Sequence, residues 1–463
     1  MNEAEKYDVL VLGSGTGGKF IAWTMARDGK RTAVVERKLI GGSCPNIACL
    51  PSKNVIHSAK VASLFGRHRE FGMEAGQVSV NMAGVRSRKR KMVDDLVALH
   101  LDLYKSSGAE LIFGDGCFTG PRTLQVALRD GGKRTLTAER VFVNVGTHAT
   151  IPDIAGLMEA RPMSHIEALE LDRVPEHLIV LGGGFVALEM SQAMRRFGSR
   201  VTVLERGPQL APREDADVAQ AILELFRDEG IEVLLGAEIL SVKGTSGERV
   251  RVEVQCKDGR RMVEGTDILA ALGRTPNTRG IGLDRAGIVV NEASHIQVNE
   301  RLETTAQNVW AIGECAGSPY FTHVSFDDFR IIHENLNGGN RSTRNRLVPY
   351  CLFLDPPLAR VGLSESEAQS TNVAYRVASL PMAEVLRTRT LSEPRGFMKA
   401  LIDKRNDRIL GFAAFGPEAG ELMGTVQVTM LAGQPYTILR DAVFTHPTMS
   451  EGFNFLFSNV PSA

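Results

Sequence analysis

One motif occurs twice in this chain, 169 residues apart, and no other feature constrains the fold as strongly. Val11-Leu12-Gly13-Ser14-Gly15-Thr16-Gly17-Gly18 is matched by Val180-Leu181-Gly182-Gly183-Gly184-Phe185-Val186-Ala187. The same offset carries Gly29 onto Gly198, Glu36 onto Glu205 and Arg37 onto Arg206. Each copy reads as an apolar strand, a glycine turn, an amphipathic helix, a further glycine and a second apolar strand. That strand ends in an acid 23 residues after the first glycine. In such a unit the first glycine permits the tight turn and the second lets the backbone approach a pyrophosphate. The third position, Gly18 or Ala187, is small so that helix and strand pack closely. The helix N-terminus offers N–H groups and a favourable dipole to phosphate, and the acid can accept ribose hydroxyls. A plain strand–helix–strand crossover would explain one glycine triplet. Two complete copies predict two dinucleotide sites, one at Gly13, Gly15, Gly18 and Glu36, the other at Gly182, Gly184, Ala187 and Glu205 with Arg206 beside it.

Soon after the first copy comes Gly41-Gly42-Ser43-Cys44-Pro45-Asn46-Ile47-Ala48-Cys49-Leu50-Pro51-Ser52-Lys53. Four residues between Cys44 and Cys49 can span one turn of helix, so the thiols can meet as a reactive disulfide rather than a staple. Six cysteines in 463 residues do not make a secreted disulfide framework. The start, Met1-Asn2-Glu3-Ala4-Glu5-Lys6, is polar, and no signal peptide, transit peptide or long apolar span is read. A cytoplasmic location is therefore expected, where a persistent cysteine pair is catalytic rather than structural. Lys+Arg and Asp+Glu are equal at 54 each, which argues for neither nucleic acid nor an anionic membrane as partner. Two nucleotide sites and a dithiol imply a tightly held flavin at the first copy, a diffusible nicotinamide at the second, and two electrons passing to or from sulfur.

The chain is too long for a single core. Residues 53–106 are read as helical and 109–147 as a small β-meander turning at Asp130-Gly131-Gly132. Residues 276–348 return to loops and a helix, and a separate domain starts at Pro349. The basic run Arg86, Arg88, Lys89, Arg90 and Lys91 is read as a solvated helix face. Cys117, Cys256 and Cys351 are expected in the core, and Cys315 as a buried small residue. His148, His323 and His333 have no partner at ligand spacing, so no metal site is predicted. Tyr320-Phe321 could form a lid or simply pack.

Several of these runs, in this order, resemble one family over essentially the whole chain. They are the glycine loop, the dithiol run ending Pro51-Ser52-Lys53, Asn144-Val145-Gly146-Thr147, Gly182-Gly183-Gly184 with Glu189, Leu272-Gly273-Arg274-Thr275-Pro276-Asn277, Ala311-Ile312-Gly313-Glu314-Cys315-Ala316, and His446-Pro447-Thr448-Met449-Ser450-Glu451. The chain is similar to the class I flavoprotein disulfide reductases, or pyridine nucleotide-disulfide oxidoreductases, which include dihydrolipoyl dehydrogenase, glutathione reductase and mercuric reductase. Its C-terminal half is most like the mercuric-reductase-like branch. The resemblance implies an α/β fold with two Rossmann-like nucleotide-binding domains and a C-terminal α+β dimerisation domain. The domains would be 1–155 for FAD with the dithiol, 156–275 for NAD(P), 276–348 completing the FAD domain, and 349–463 for dimerisation. It also implies roles. Cys49 would be the thiol nearest the flavin and Cys44 the thiol that attacks substrate. Lys53 and Glu189 would pair near the flavin. Gly146, Gly313 and Glu314 would help hold FAD, and Gly273 NAD(P). His446, oriented by Glu451, would be the acid–base serving the dithiol of the other subunit of a homodimer. A thiolate is the nucleophile in such exchange. An imidazole can keep it ionised and protonate the leaving sulfur, and a carboxylate on the far ring nitrogen fixes the tautomer.

The resemblance therefore implies an NAD(P)H:disulfide oxidoreductase acting on a small disulfide or thiol. Reduction of Hg(II), Cu(II) or an oxidant, dihydrolipoyl dehydrogenase chemistry, and a flavin-bound redox sensor are the alternatives. Glu205 favours NADH, since a carboxylate repels a 2′-phosphate, while the adjacent Arg206 keeps NADPH open. Some positions depart from the family pattern. Ala48 replaces a usual glycine and would be strained if a positive φ were needed, Pro45 is unusual, and Glu314 replaces an aspartate. The ending Asn459-Val460-Pro461-Ser462-Ala463 lacks the cysteine pair typical of mercuric reductases, which speaks against mercury detoxification.

Overall fold

The computed structural model describes residues 4–462 apart from 75, 77 and 78. The first three residues of the polar start, a few within 53–106, and Ala463 thus lie outside the described residues. The first repeat folds as read: β1 (Glu5–Leu12), α1 (Thr16–Arg27) and β2 (Thr32–Glu36), with β1 and β2 parallel. Gly13 has φ +98°, and a Cβ there would lie 2.4 Å from the carbonyl oxygen of Asn144, so only glycine fits. The dithiol run forms a short turn, α2 (Ser43–Asn46), and the start of α3 (Cys49–Gly66). The predicted helical stretch is broken, and resumes as α4 (Met82–Ser107).

The predicted meander is present as β3 (Glu110–Gly120), β4 (Thr123–Leu128) and β5 (Lys133–Val143), but it is not a separate unit. Residues 110–113 of β3 pair in parallel with β2, and residues 137–143 of β5 continue along β1. Long strands therefore serve both the parallel sheet and the antiparallel meander. A two-stranded ladder then links the halves, β6 (Thr147–Ala149) lying antiparallel to a later strand, residues 274–276.

The second repeat is β7 (His177–Leu181), the helix Phe185–Phe197 and β8 (Arg200–Glu205), in a parallel sheet with strands 232–235 and 267–270. Gly182 repeats Gly13, with φ +104° and a virtual Cβ 2.6 Å from the oxygen of Ala271. The chain then returns to the first sheet, where Val309–Ala311 pairs with β5, and forms the helix Thr322–Leu336. From Tyr350 onward five antiparallel strands, with the helices Ala419–Leu431 and Gly452–Ser458, enclose their own core around Phe412, Phe453 and Phe457. Among the described residues no helix is long and apolar enough to cross a membrane.

Of the basic run expected on a solvated face, Arg88, Arg90 and Lys91 are exposed, but Lys89 is turned inward. Lys89 is 1% exposed and pairs with Glu170. Arg90 also reaches Glu170 at 2.7 Å, and Arg86 reaches Asp172 at 2.9 Å. The run ties α4 to the loop that enters the second nucleotide unit. A polar stripe in sequence records polarity and carries no trace of an opposing acid.

Candidate active site

Both nucleotide helices begin at a glycine with no side-chain cap, Gly15 and Gly184, so their first-turn N–H groups are available to phosphate. In the first unit, a cleft of about 410 Å³ is lined by Gly13, Gly15, Glu36, Cys44, Gly146, His165, Arg274, Glu314 and Thr322 among others. Asn144 closes its floor. Its Oδ1 accepts from the Gly18 N–H at 3.0 Å, and its Nδ2 donates to the Ile312 carbonyl at 2.9 Å. Gly18 cannot grow, since a Cβ would sit 2.3 Å from the oxygen of Gly13, whereas Ala187 is accommodated fully buried at the matching place.

Glu36 is 8% exposed and already engaged. One oxygen accepts from the backbone N–H and hydroxyl of Ser14 at 2.9 and 2.6 Å, the other from the N–H groups of Lys38 and Leu39 at 2.7 and 2.9 Å. It is fixed as an acceptor facing the cleft. Glu205 likewise accepts from the N–H groups of Gly183 and Gly207, while Arg206 is exposed. Glu314, one methylene longer than aspartate, is held by Thr147 and lies 3.4 Å from Arg274.

The dithiol sits at the cleft wall, with Cys44 and Cys49 both free thiols. Asn46 pins the loop by donating to the carbonyls of Ile40 and Gly42 at 2.8 and 2.7 Å. Ala48 has φ −131°, so no glycine is required, and Pro45 lies in the first turn of α2, where a missing N–H costs nothing. Cys49 is pushed down to about 6, first by the Cys44 thiol donating to it, then, against burial, by the Thr322 hydroxyl and the Lys53 cation. Cys44 moves the other way because it gives that bond and is itself buried. The pair thus carries one negative charge, resting on Cys49. The Thr322 Oγ lies 3.3 Å from the Cys49 sulfur.

Lys53, one turn on from Cys49 in α3, meets Glu189 of the second unit at 2.7 Å. Glu189 is 7% exposed and also accepts from the Phe353 N–H at 2.9 Å. This pair joins the dithiol helix to the second nucleotide unit and to the C-terminal domain. His446 Nδ1 lies 2.9 Å from Glu451, whose carboxyl is held below its usual range by that contact. The imidazole is 64% exposed and is absent from the cleft lining, so within one chain it does not meet the dithiol.

Three residues in and around this site were given no role in the sequence, although Thr322 and Asp328 lie in a run that carries the resemblance to the mercuric-reductase-like branch. Thr322 stands 273 positions from Cys49. His165 is 8% exposed, lines the cleft, and its Nε2 has no partner among the described residues; burial and then Arg274 push it down to about 4, leaving a neutral imidazole. Asp328, fully buried, accepts from the Gly313 N–H at 2.8 Å, the Ser318 hydroxyl at 2.8 Å and Arg346 at 2.6 Å. Asp328→Ala leaves the Gly313 N–H and the Ser318 hydroxyl without their buried acceptor, and Arg346 with only the Asp327 carboxylate at 3.7 Å, so it should destabilise the protein by about 3 kcal/mol, measured as a lowered denaturant midpoint. Cys315 is fully buried, its thiol raised to about 11 by desolvation, as expected of a core residue. Cys256 is also buried, while Cys117 and Cys351 are only half-buried. Phe321 lines the cleft and stacks on Tyr350 at 5.7 Å, and Tyr320 bonds His295 at 2.7 Å. Among the described residues no cluster could hold a metal ion.

The uncapped helix start, the glycine-lined floor, the fixed acid and the unpartnered His165 imidazole together suit an extended dinucleotide lying against the dithiol. Comparison with known proteins agrees. The model of the pyridine nucleotide-disulphide oxidoreductases matches residues 7–328, and that of their dimerisation domain residues 348–456. The probable pyridine nucleotide-disulfide oxidoreductase RclA of Escherichia coli is 36% identical over 98% of this chain and 99% of its own. A mercuric reductase of Streptomyces lividans is 31% identical over 96% of this chain and 94% of its own. The solved HOCl-induced flavoprotein disulfide reductase RclA from Escherichia coli superposes with a TM-score of 0.89 at 34% identity, covering 98% of this chain and 100% of that one. The chain belongs to the pyridine nucleotide-disulphide oxidoreductase family.

Proposed function

We propose that this protein is a homodimeric, cytoplasmic reductase of a small disulfide, working from NADH through FAD and the Cys44–Cys49 couple. Its family membership makes it an FAD- and NAD(P)H-dependent oxidoreductase acting on sulfur, with a dimerisation domain. The single observation that carries the finer reading is the dithiol polarised between Thr322 and Lys53, with Cys49 anionic and Cys44 lining the cleft. The domain limits follow the sequence reading: 1–155 with 276–348 for FAD, 156–275 for NAD(P), and 349–463 for dimerisation.

Gly13, Gly15, Glu36, Gly146 and Glu314 of the cleft would hold FAD, which would supply the passage of an electron pair from NAD(P)H to the cysteine disulfide. The chain's own residues then act as follows. Lys53 stabilises the Cys49 thiolate, and Glu189 holds Lys53 in place. Cys44, its proton passed to Cys49, attacks one sulfur of the substrate as thiolate, forming a mixed disulfide and expelling the other half as a thiolate. His446 of the partner subunit protonates that thiolate, with Glu451 holding the ring. Cys49 then attacks the Cys44 sulfur, releasing the second thiol and closing the disulfide.

Anaerobic titration of the purified protein with NADH and then NADPH tests this. One equivalent of NADH should raise a long-wavelength absorption band, the signature of a thiolate against oxidised flavin, and NADPH should do so less readily. Because the Cys49 pKa is depressed from 9.0 to about 6, the thiolate persists above that pH, and the band should fade as pH falls through about 6. Bleaching without a band would mean that dithiol and flavin do not communicate. A second reading has one specific support: the Escherichia coli relative has also been solved as a Cu(II) complex. Cu(II)-stimulated NADH oxidation that needs both cysteines would favour a metal ion as acceptor.

A further inference from the structure

A buried lysine lies behind the turn that carries the dithiol. Lys19 stands one residue after the third motif glycine in α1, and its side chain turns inward, leaving the residue 9% exposed. Its Nζ is 2.6 Å from Nε2 of His100, which α4 supplies and which is 6% exposed. Nδ1 of that ring is 2.6 Å from the carbonyl oxygen of Leu96. A carbonyl can only accept, so Nδ1 carries the ring proton and Nε2 is left to accept from the ammonium. Burial pushes His100 down, which keeps the imidazole neutral. The rings of Phe20 and Trp23 flank the ammonium at 5.9 and 5.7 Å. The His100 ring in turn abuts the turn that carries Cys44: a Cβ on Gly41 would lie 2.9 Å from it and 3.1 Å from Pro45.

A buried ammonium without a carboxylate is costly and is retained where an anion answers it. Burial pushes Lys19 down, and among the described residues the group that works against this is the Cys44 sulfur; Lys19 in turn favours the ionised form of Cys44, the smallest of the influences on a thiol that its bond to Cys49 and burial push up. Lys53 does the same for Cys49. Two cations thus act on the pair, Lys19 on Cys44 and Lys53 on Cys49. The other groups acting on the pair are the Thr322 hydroxyl and the thiols themselves.

We propose that Lys19, fixed by His100, is a positioning residue for the exchange half of the reaction: it draws the charge of the dithiol onto Cys44, the sulfur that opens the substrate, an assignment resting on the disulfide reading above. The step is a proton shift within the pair. The Cys44 thiol gives its proton to the Cys49 thiolate, leaving a Cys44 thiolate and a Cys49 thiol. The Cys44 thiolate then attacks R–S–S–R′ to give Cys44–S–S–R and R′–S⁻. Electrons are conserved, the pair having been supplied by NAD(P)H.

The test is alkylation of the holoenzyme, reduced anaerobically with one equivalent of NADH, by iodoacetamide, which reacts with thiolate. Labelling of Cys44 is followed by mass spectrometry. Lys19→Met should slow that labelling about tenfold, the effect of a shift of about one pKa unit from removing a nearby charge. It should leave the long-wavelength band, which reports charge on Cys49, undiminished. Lys19→Arg should stay within about twofold of the parent. A Met variant as fast as the parent overturns the proposal, and so does an Arg variant as slow as Met, since packing would then explain both. Should Lys19→Met not retain flavin, Lys19→Gln takes its place with the same criteria. No substrate disulfide enters the assay, so failure of the substrate reading and failure of the lysine's role give different results.

Discussion

Cys44→Ser is expected to lose disulfide turnover by at least about a thousandfold, the scale on which removal of a nucleophile is felt, while flavin reduction by NADH continues. The two cysteines are chemically alike and differ only in setting. Cys49 sits between the Thr322 hydroxyl and Lys53, which favour its anion. Cys44 lines the cleft and carries the proton. Serine at 44 keeps a hydroxyl that can donate to Cys49, so the thiolate and its absorption band should persist, now without prior reduction because no disulfide can form. Cys49→Ser should lose the band as well as turnover. Stopped-flow absorbance with each nucleotide separates the two variants. Undiminished disulfide turnover in Cys44→Ser would remove this cysteine from the mechanism.

What could be read in the sequence was whatever its own stretch of chain encodes. The two glycine loops needed no partner to be recognised, because turn, helix start and terminal acid fall within 23 residues. The dithiol was legible for the same reason. The Lys53–Glu189 contact spans 136 positions and entered only through resemblance to a family. Thr322 and Asp328 stood in a run that resembles one branch of the family but pointed to no contact, and His165 had no signal at all. Thr322 is simply the first residue of a helix, and its meeting with Cys49 is decided by how that helix docks on the first sheet. Alternation showed the strands of the meander without showing that β3 and β5 run on into the parallel part of one six-stranded sheet. The inward turn of Lys89 in α4 went unforeseen for a related reason: the acids that meet this run, Glu170 and Asp172, lie about eighty positions away.

His446 provides the sharpest test of how the subunits cooperate. Its imidazole is oriented by Glu451 and yet is open to solvent and remote from the cleft of its own chain. A group so placed is either idle or completes a site across an interface, and the dimerisation domain in which it stands supplies the interface. If it completes the site, His446→Gln should slow turnover by about a hundredfold or more, the loss of a general acid–base, without weakening the absorption band that Cys49 produces. Glu451→Gln should cost less, since the ring remains and only its orientation and charge suffer. The decisive experiment mixes Cys44→Ser and His446→Gln homodimers under conditions that exchange subunits. In each heterodimer one site inherits both defects and the other inherits none. Random exchange makes half of the dimers hybrid, each with one intact site, so turnover should recover to about a quarter of the native value from two nearly inactive parents. Active sites confined to one chain cannot be rescued in this way, and a mixture no more active than its components would show that His446 does not serve the dithiol of the partner.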